Sequence, residues 1–377
     1  MQKFIFILTI VMLLHLSATS TPGTVVKNPD QPLKGKWDFK PGKVWEIDAL
    51  GDDLLVDIRI MKADREGNLY IYEYKHKRFY VLNPGGKLLV SFGKRGEGPG
   101  EFRMVGGLFI RNDLLIIPDF SKIYVFSKKG EPIRTIKPGT YIRHRLFIDE
   151  SRLIKLSYYP SEKRDDPNYI ELYNLETKKT RKLVRLKLKQ KTLYYDAGRF
   201  RLSLPAGKVM PTLILEADSR ALYYGNNDRY QINKIDFNGK PLLSFSIEGR
   251  KKNRISLDTK IKYCRDRVST LANIPRDAPK EMAKELPDET PYFNRTFIEP
   301  KGLVYVQLND LENQNQRSLD IFSREGKYIY HSVIDLSDDF EQIDTMTFSW
   351  ARSELYVFGL DEDGEEHLVK YKVHLPK

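Results

Sequence analysis

The sequence is poor in residues that crosslink a fold or catalyse reactions. Its 377 residues include a single cysteine, Cys264, so no intramolecular disulfide can form and the fold must depend on burial and strand pairing. Histidine is also scarce: six residues lie at positions 15, 76, 144, 331, 367 and 374, without the close spacing of metal ligands. A Gly-x-Ser-x-Gly nucleophile motif is absent. These absences favour a chain with no catalytic residues, no metal site and no cofactor.

One acidic segment, residues 361–366, has some likeness to a calcium loop. Five carboxylates surround Gly364 in this segment. It lacks the 12-residue ligand spacing of a calcium loop, and it lies where a hairpin turn is expected. The pattern therefore indicates a polar turn.

Long apolar runs are missing, apart from one near the N-terminus. Residues 4–16 are apolar except for Thr9 and His15, Lys3 precedes them, and small residues follow at 18–20. This pattern is typical of a secretory signal peptide over residues 1–20, and it is shorter than the roughly 20 apolar residues of a transmembrane helix. An uncleaved anchor is the alternative. We expect a periplasmic or secreted monomer with no transmembrane segment in the mature chain.

Negative charge is in deficit. The 63 Lys and Arg residues against 51 Asp and Glu residues leave a formal net charge of +12. Much of the excess lies at 178–191, where basic residues alternate with Leu and Val, as expected of an outer strand with one basic face. Lysines on an edge strand prevent aggregation of sheets, and attraction to anionic glycans or membrane surfaces is the alternative. Export argues against a nucleic acid partner.

The sequence is rich in β-forming aromatic residues, with 22 Tyr and 19 Phe. A repeated sequence motif runs through it. Each copy has a β-rich run beginning with Leu, a polar turn and a second β-rich run. The first runs begin at Leu69, Leu114, Leu153, Leu222, Leu303 and Leu355. Leu69 and Leu114 are 45 residues apart, which is the length of one propeller blade. The repeats therefore predict six sheets stacked around a channel.

The sixth copy ends at Lys377, soon after its third strand, so its blade lacks a fourth strand. Residues 43–48, which precede a first inner strand predicted near 56–60, are expected to supply it. Pairing the two chain ends would close the ring and remove an exposed sheet edge; a frayed N-terminus is the alternative. The predicted organisation is a signal peptide at 1–20, an N-terminal arm at 21–42 and a propeller at 43–377.

The segment 92–102 reads Phe-Gly-Lys-Arg-Gly-Glu-Gly-Pro-Gly-Glu-Phe. It resembles the Gly-rich link between blades in the NHL-repeat class of propellers, although residues 103–107 lack the Pro that usually follows. The resemblance implies an all-β, six-bladed β-propeller of four-stranded antiparallel blades. The segment leads into β-rich sequence and lacks the Lys-Ser/Thr ending of a phosphate-binding loop, so we predict a structural role for it.

Long insertions are predicted on one rim, here called the insertion-bearing face. In a four-stranded blade, the loop between the second and third strands and the link to the next blade lie on the same face. The insertions at 157–168, 189–209, 249–294 and 308–317 belong to these two classes, as expected of a binding face. A helical pattern at 259–272 and 278–286 predicts a helical insertion over about 257–288 that caps the channel mouth; packing on the outer wall is the alternative.

Alternate residues of the inner strands should face the channel, and this period gives the candidate ligand-binding residues. They are Tyr141, Arg143, His144, Arg145, Asn294, Arg295 and Asp344, with Asp57 or Arg59 as a further channel position. Excess arginine favours an anionic group, because guanidinium binds carboxylate, sulfate or phosphate through paired hydrogen bonds. A structural ion pair is the alternative for each candidate.

These patterns predict an exported binding or scaffold propeller that recognises a peptide, glycan or protein partner at the insertion-bearing face. The alternative is a lyase or hydrolase with an active site at the channel mouth. Some NHL-like propellers are metal-dependent amidating lyases, and related propellers include antibiotic-inactivating lyases. Motifs of neither kind of enzyme can be matched to this sequence, which favours binding.

Overall fold

The computed structural model describes residues 23–50, 53–98, 100–120, 122–139, 145–157, 168–186, 192–197, 200–205, 209, 211–268 and 274–377. Over these ranges the strands form six main sheets, each built on an antiparallel meander of strands that follow one another in sequence. Strands of the N-terminal segment join two of these sheets. The predicted all-β architecture of four-stranded blades is therefore confirmed.

Each blade runs from an inner strand to an outer strand. Blade one consists of Ile58–Ala63, Leu69–Glu73, Arg78–Leu82 and Leu88–Phe92. Blade two consists of Phe109–Arg111, Leu114–Pro118, Ile123–Ser127 and Pro132–Ile136. Blade three consists of Arg145–Phe147, Arg152–Leu156, Asn168–Asn174 and Thr180–Leu186. The inner strand of blade one thus begins two residues later than the predicted 56–60.

The second half of the ring repeats this plan. Blade four consists of Leu213–Ala217, Ala221–Asn226, Gln231–Asp236 and Pro241–Ile247. Blade five consists of Phe293–Ile298, Val304–Leu308, Gln316–Phe322 and Tyr328–Asp335. Blade six consists of Gln342–Ser349, Glu354–Leu360 and Glu366–Lys372, with Gly42–Ile47 as its outer strand.

Smaller elements connect the blades. Two-stranded ribbons are formed by Ala49–Leu50 with Asp53–Leu54, by Lys94–Arg95 with Glu101–Phe102, and by Thr192–Ala197 with Phe200–Pro205. The insertion between blades four and five contains helix α1, Leu257–Val268, and helix α2, Ala278–Lys284. Pro279 lies in the first turn of α2, where its missing N–H costs nothing. A 3₁₀ turn spans Trp350–Arg352.

Apolar packing joins each blade to the next. Six clusters of buried side chains each combine residues of two adjacent sheets, and together they cover every junction, including the one between blades six and one. Second strands are buried on both faces, as in Leu69–Glu73, whereas outer strands such as Pro132–Ile136 are largely exposed. This burial explains why the second strands have nearly continuous apolar sequences.

The junction between blades one and two shows how aromatic rings fill these interfaces. Phe102 is fully buried, and its ring lies edge-on to Phe79 and Tyr124 at centroid distances of 5.2 and 5.4 Å. Such pairs contribute roughly 0.5–1.5 kcal/mol beyond the area they bury. The Gly-rich link therefore anchors its final residue in the core.

The N-terminal segment follows the outer edges of three blades. Thr24–Asn28 adds a fifth, parallel strand to blade four, beside Pro241–Ile247. Lys36 then forms a bridge with His331 on the outer strand of blade five, and Gly42–Ile47 pairs with the third strand of blade six. We call residues 24–47 the N-terminal strap. It covers sheet edges that would otherwise expose unpaired backbone groups.

Asn28 connects the strap to two blades at once. Its side-chain amide donates to the carbonyl oxygens of Ser246 at 3.0 Å and Gly326 at 2.9 Å, and its Oδ1 accepts from the backbone N–H of Tyr328 at 2.9 Å. The residue is buried, so each of these bonds replaces water that cannot reach the site.

A buried ion pair lies in blade six. Lys370 Nζ is 2.9 Å from a Glu354 carboxylate oxygen, and both side chains are nearly inaccessible. Lys370 also donates to the carbonyl oxygen of Pro84 in blade one, and the Tyr356 hydroxyl bonds both Glu354 and the carbonyl of Gly67. The pair therefore ties the last blade to the first.

Replacing Asn28 with Ala is expected to lower the free energy of unfolding by about 2–3 kcal/mol, because buried backbone groups of two blades lose their partners. Lys27→Ala on the same strand removes an exposed ion pair with Glu248 and should cost less than about 0.5 kcal/mol. Chemical denaturation of both variants measures the difference. Equal costs would contradict the bridging role.

Replacing Glu354 with Gln should cost about 3–5 kcal/mol, because the Lys370 ammonium is left buried without a carboxylate. Glu150→Gln, which disrupts an exposed pair with Arg134, is the control and should change stability little. Thermal and denaturant midpoints are the measurements. A small effect at Glu354 would show that Lys370 escapes to water.

Candidate functional site

Four inner strands carry isolated charged side chains into one region. Lys62 and Glu216 are the penultimate residues of the inner strands of blades one and four, Arg111 ends that of blade two, and Arg295 is the third residue of that of blade five. The charges of Arg295, Glu216 and Arg111 all act on Lys62. Blades one and four lie opposite each other in a six-membered ring, so these groups meet across the central channel.

The surroundings in the channel disfavour the charged forms of Lys62, Arg111 and Arg295. Burial lowers the pKa of Lys62, and repulsion from Arg295 and Arg111 adds to this effect, while Glu216 opposes it. Burial likewise lowers the pKa values of Arg111 and Arg295, against attraction from Glu216 and, for Arg111, also from Asp149. Glu216 alone therefore does not compensate the charges of Lys62, Arg111 and Arg295.

Backbone carbonyl groups hold the two arginines. Arg111 donates from Nε to the oxygen of Ile148 at 3.1 Å and from a terminal nitrogen to that of Ile110 at 2.9 Å. Arg295 donates to the oxygen of Met346 at 3.1 Å, and its guanidinium lies 4.5 Å from the ring centroid of Phe297. A guanidinium has five N–H donors, so both retain donors for a ligand.

The Lys62 ammonium has neither a hydrogen bond nor an ion pair with any group in the described ranges, and the side chain is half-buried. Glu216 accepts a hydrogen bond from the backbone N–H of Ala217 at 3.1 Å. With respect to the described part of the chain, Lys62 is thus a donor without a partner.

Three of the residues predicted to face the channel occupy β-bulges. Arg59, Asn294 and Asp344 are each passed over in the pairing of the first two strands of blades one, five and six. Arg59 forms two hydrogen bonds with Asp57, at 2.7 and 3.0 Å, as the structural ion-pair alternative predicted. Bulges turn side chains away from the regular alternation.

The other candidate residues have varied surroundings. Asn294 donates to Asn309 at 3.2 Å, and its buried Oδ1 has no partner within the described ranges. Asp344 accepts from the Gln342 amide at 2.7 Å. Arg145 begins the inner strand of blade three. Tyr141, Arg143 and His144 lie outside the described residues. Of the candidates whose side chains are described, Arg295 is the one that joins the channel cluster.

Lys62, Arg111 and Glu216 were missed by the sequence analysis. Each is a lone charge at the end of an apolar run: Ile60-Met61, Phe109-Ile110 and Leu213-Ile214-Leu215 precede them. That pattern is the signal that could have found them. Counting alternate positions from the start of a strand failed, because a bulge in blade one shifts the period by one residue.

Three of the four histidines in the described ranges bond carboxylates away from the inner strands. His76 bonds Glu73 at 2.8 Å, and His331 bonds Asp320 at 2.9 Å. His367 contacts Asp361 at 2.7 Å and Glu46 of the strap at 3.3 Å.

Asp361, Glu365 and His367 place their ligand atoms within 4.8 Å of one another, which is compact enough for a metal ion. The Asp361 carboxylate already has other partners. One oxygen accepts backbone N–H groups of Asp363 and Glu365 at 3.0 and 2.8 Å, and the other contacts His367. The arrangement is therefore explained by the hairpin turn predicted for this segment.

The Gly-rich link binds its own carboxylate. Glu101 accepts hydrogen bonds from the backbone N–H groups of Glu97 at 3.0 Å and Gly98 at 2.9 Å. Gly93 has φ 89°, and a Cβ there would lie 2.5 Å from the Phe102 ring. The donors that could hold a phosphate are thus occupied, which supports the structural role.

The insertions form one packed body. The cluster that contains Cys264 and Met282 of the helices also includes Val209, from the link between blades three and four, and Leu311, from the second-to-third-strand loop of blade five, packs against it. Glu312 accepts hydrogen bonds from the Ser256 N–H at 2.6 Å and the Thr259 hydroxyl at 2.7 Å, at the start of α1. A carboxylate there is favoured by the helix dipole.

Comparison with known proteins supports the architecture. Residues 51–190, which include blades one to three, match the model of the DUF5128 family, described as a 6-bladed beta-propeller. The chain is a six-bladed β-propeller. A Bacteroides fragilis protein named as exported is 12% identical, with a TM-score of 0.55, over 94% of this propeller and 99% of that chain. A DUF4221-family protein from Bacteroides vulgatus is 11% identical, with a TM-score of 0.54, over 89% and 98%.

At these identities the likeness to solved structures concerns the fold. No curated protein matches the propeller. In the described ranges, neither helix has the length and apolar character needed to cross a membrane.

Replacing Glu312 with Ala is expected to loosen the start of α1, because three hydrogen bonds to Ser256 and Thr259 are lost. Amide hydrogen exchange over 256–268 should accelerate about tenfold, as expected for the loss of about 1.4 kcal/mol of local stability, while the blades keep their protection. Glu281→Ala, which removes an exposed pair with Lys284, is the control. Unchanged exchange in the Glu312 variant would contradict the link.

Proposed function

We propose that this propeller is an exported binding protein that recognises a peptide, glycan or protein partner through its insertion-bearing face. The observation that carries the proposal is the packed body formed by three insertions. They are the links between blades three and four and between blades four and five, and the second-to-third-strand loop of blade five. Extra sequence that is merely tolerated is expected to form separate surface loops. Here the apolar cluster around Met282 and the bonds of Glu312 make one built surface.

Export is supported by the signal-peptide pattern of residues 1–20 and by the likeness to a Bacteroides fragilis protein named as exported. The Gly-rich link at 92–102 supports the narrower NHL-like assignment. Export and the NHL-like assignment are both part of the proposal, because the comparisons concern the fold alone.

A binding role is favoured over an enzymatic one by the engagement of the histidines. In the described part of the chain, His76, His331 and His367 each bond a carboxylate outside the inner strands. Catalysis needs acid, base or nucleophile side chains that converge on one reacting atom. Those three pairs lie in separate blades and do not converge.

Helix α1 places two exposed cations on this face, beside the exposed carboxylates of Asp258 and Asp266. Lys262 and Arg265 are exposed and lie three residues apart, so they share one side of the helix. Leu257 at the start of the helix is 55% exposed and adds an apolar contact. We propose that a ligand with acidic and apolar groups binds there.

The double change Lys262→Glu and Arg265→Glu is expected to weaken binding at least about tenfold, because attraction becomes repulsion. Purified protein is screened on peptide and glycan arrays, and the affinity of a hit is measured by calorimetry. Arg65→Glu with Lys301→Glu is the matched control, since both residues are exposed in turns between first and second strands, on the opposite face.

The control should bind within about twofold of the unmodified protein. Loss of binding in the control alone would overturn the assignment of the face. Chemical conversion of a bound peptide or glycan would overturn the assignment as a binding protein.

A further inference from the structure

We propose that the central channel binds an oxyanion, a sulfate, phosphate or carboxylate group, through Lys62, Arg111 and Arg295. This inference is independent of the insertion-bearing face, because the groups belong to inner strands and not to the insertions.

The arrangement of the ring creates the site. The cations come from blades one, two and five and the carboxylate from blade four, so no single blade contains a complete ion pair. Lys62 is close enough to Arg111, Glu216 and Arg295 for all three charges to act on it. Only the space along the propeller axis is shared by these blades.

The charges do not balance. Lys62, Arg111 and Arg295 with Glu216 give a net charge of 3 − 1 = +2. Asp149, which also attracts Arg111, is neutralised by its ion pair with Arg152. Half-buried charges are poorly screened by water, and a charge without a counter-ion is costly in such surroundings. A dianion would compensate the excess, and a monoanion would compensate half of it.

The free donors suit an oxyanion. The three N–H groups of the Lys62 ammonium have no protein partner in the described ranges, and each arginine keeps N–H groups beyond those bonded to carbonyl oxygens. Several oxygens on one ligand can accept from all three side chains at once. Charge-assisted bonds of this kind are the strong ones.

Glu216 makes the proposal testable in both directions. Its carboxylate attracts the cations but repels an incoming anion. Removing the negative charge should therefore tighten anion binding, whereas removing Lys62 or Arg295 should weaken it. A cluster that is merely a structural ion network would show no such opposite effects on a ligand.

The experiment uses isothermal titration calorimetry of the full exported chain with sodium sulfate, phosphate and acetate at constant ionic strength. We expect one site per chain, with sulfate and phosphate bound more tightly than acetate. Lys62→Gln and Arg295→Gln should each weaken sulfate binding at least about tenfold, and Glu216→Gln should strengthen it. Lys87→Gln, an exposed turn lysine, should leave it unchanged.

Circular dichroism shows whether each variant is folded, and Glu216→Gln keeps the test decisive if a cation variant unfolds. The proposal is overturned if no anion gives saturable binding, or if the Lys87 and Lys62 variants bind equally. It is also overturned if Glu216→Gln weakens binding. Failure of the anion-binding test would leave the proposed function of the insertion-bearing face unaffected, because the array ligands are assayed with different variants.

Discussion

Apolar packing between neighbouring sheets is the interaction on which the whole propeller depends. Each sheet buries both faces, so every blade requires two neighbours, and six clusters meet this requirement only because the ring is closed. The buried pair of Glu354 and Lys370 and the strand Gly42–Ile47 strengthen the same final junction. The channel follows from this closure: it is where the inner strands of six blades meet.

Much of the fold could be predicted from the sequence, because the apolar runs of the repeated motif, the first of which begins at Leu69, correspond to strands buried on both faces. Residues 43–48 were expected as an outer strand from the missing strand of the last copy, and the structure has an outer strand at Gly42–Ile47. The pairing of Thr24–Asn28 with blade four carried no such signal. Any exposed outer strand could have accepted that segment.

The site was harder to predict, for a local reason. Bulges at Arg59, Asn294 and Asp344 interrupt the period of two, so a count along the sequence assigns side chains to the wrong side. Arg295 was predicted to face the channel, and it lies in the cluster with Lys62. Lys62 and Glu216 act together only across the ring, and sequence spacing contains no information about distances between opposite blades. The structure therefore adds a second surface, inside the ring, to the face predicted from insertions.

The N-terminal strap also sets an order of events in folding. Trp45 is among the first residues to be synthesised, yet its strand pairs with Lys370 near the end of the chain. Such a contact is formed late, because the long loop between these two residues must close first. Until the last blade emerges, the strand Gly42–Ile47 and the face of blade one that packs against blade six remain uncovered. A shortened C-terminus would therefore leave an unclosed, aggregation-prone ring rather than a slightly smaller propeller.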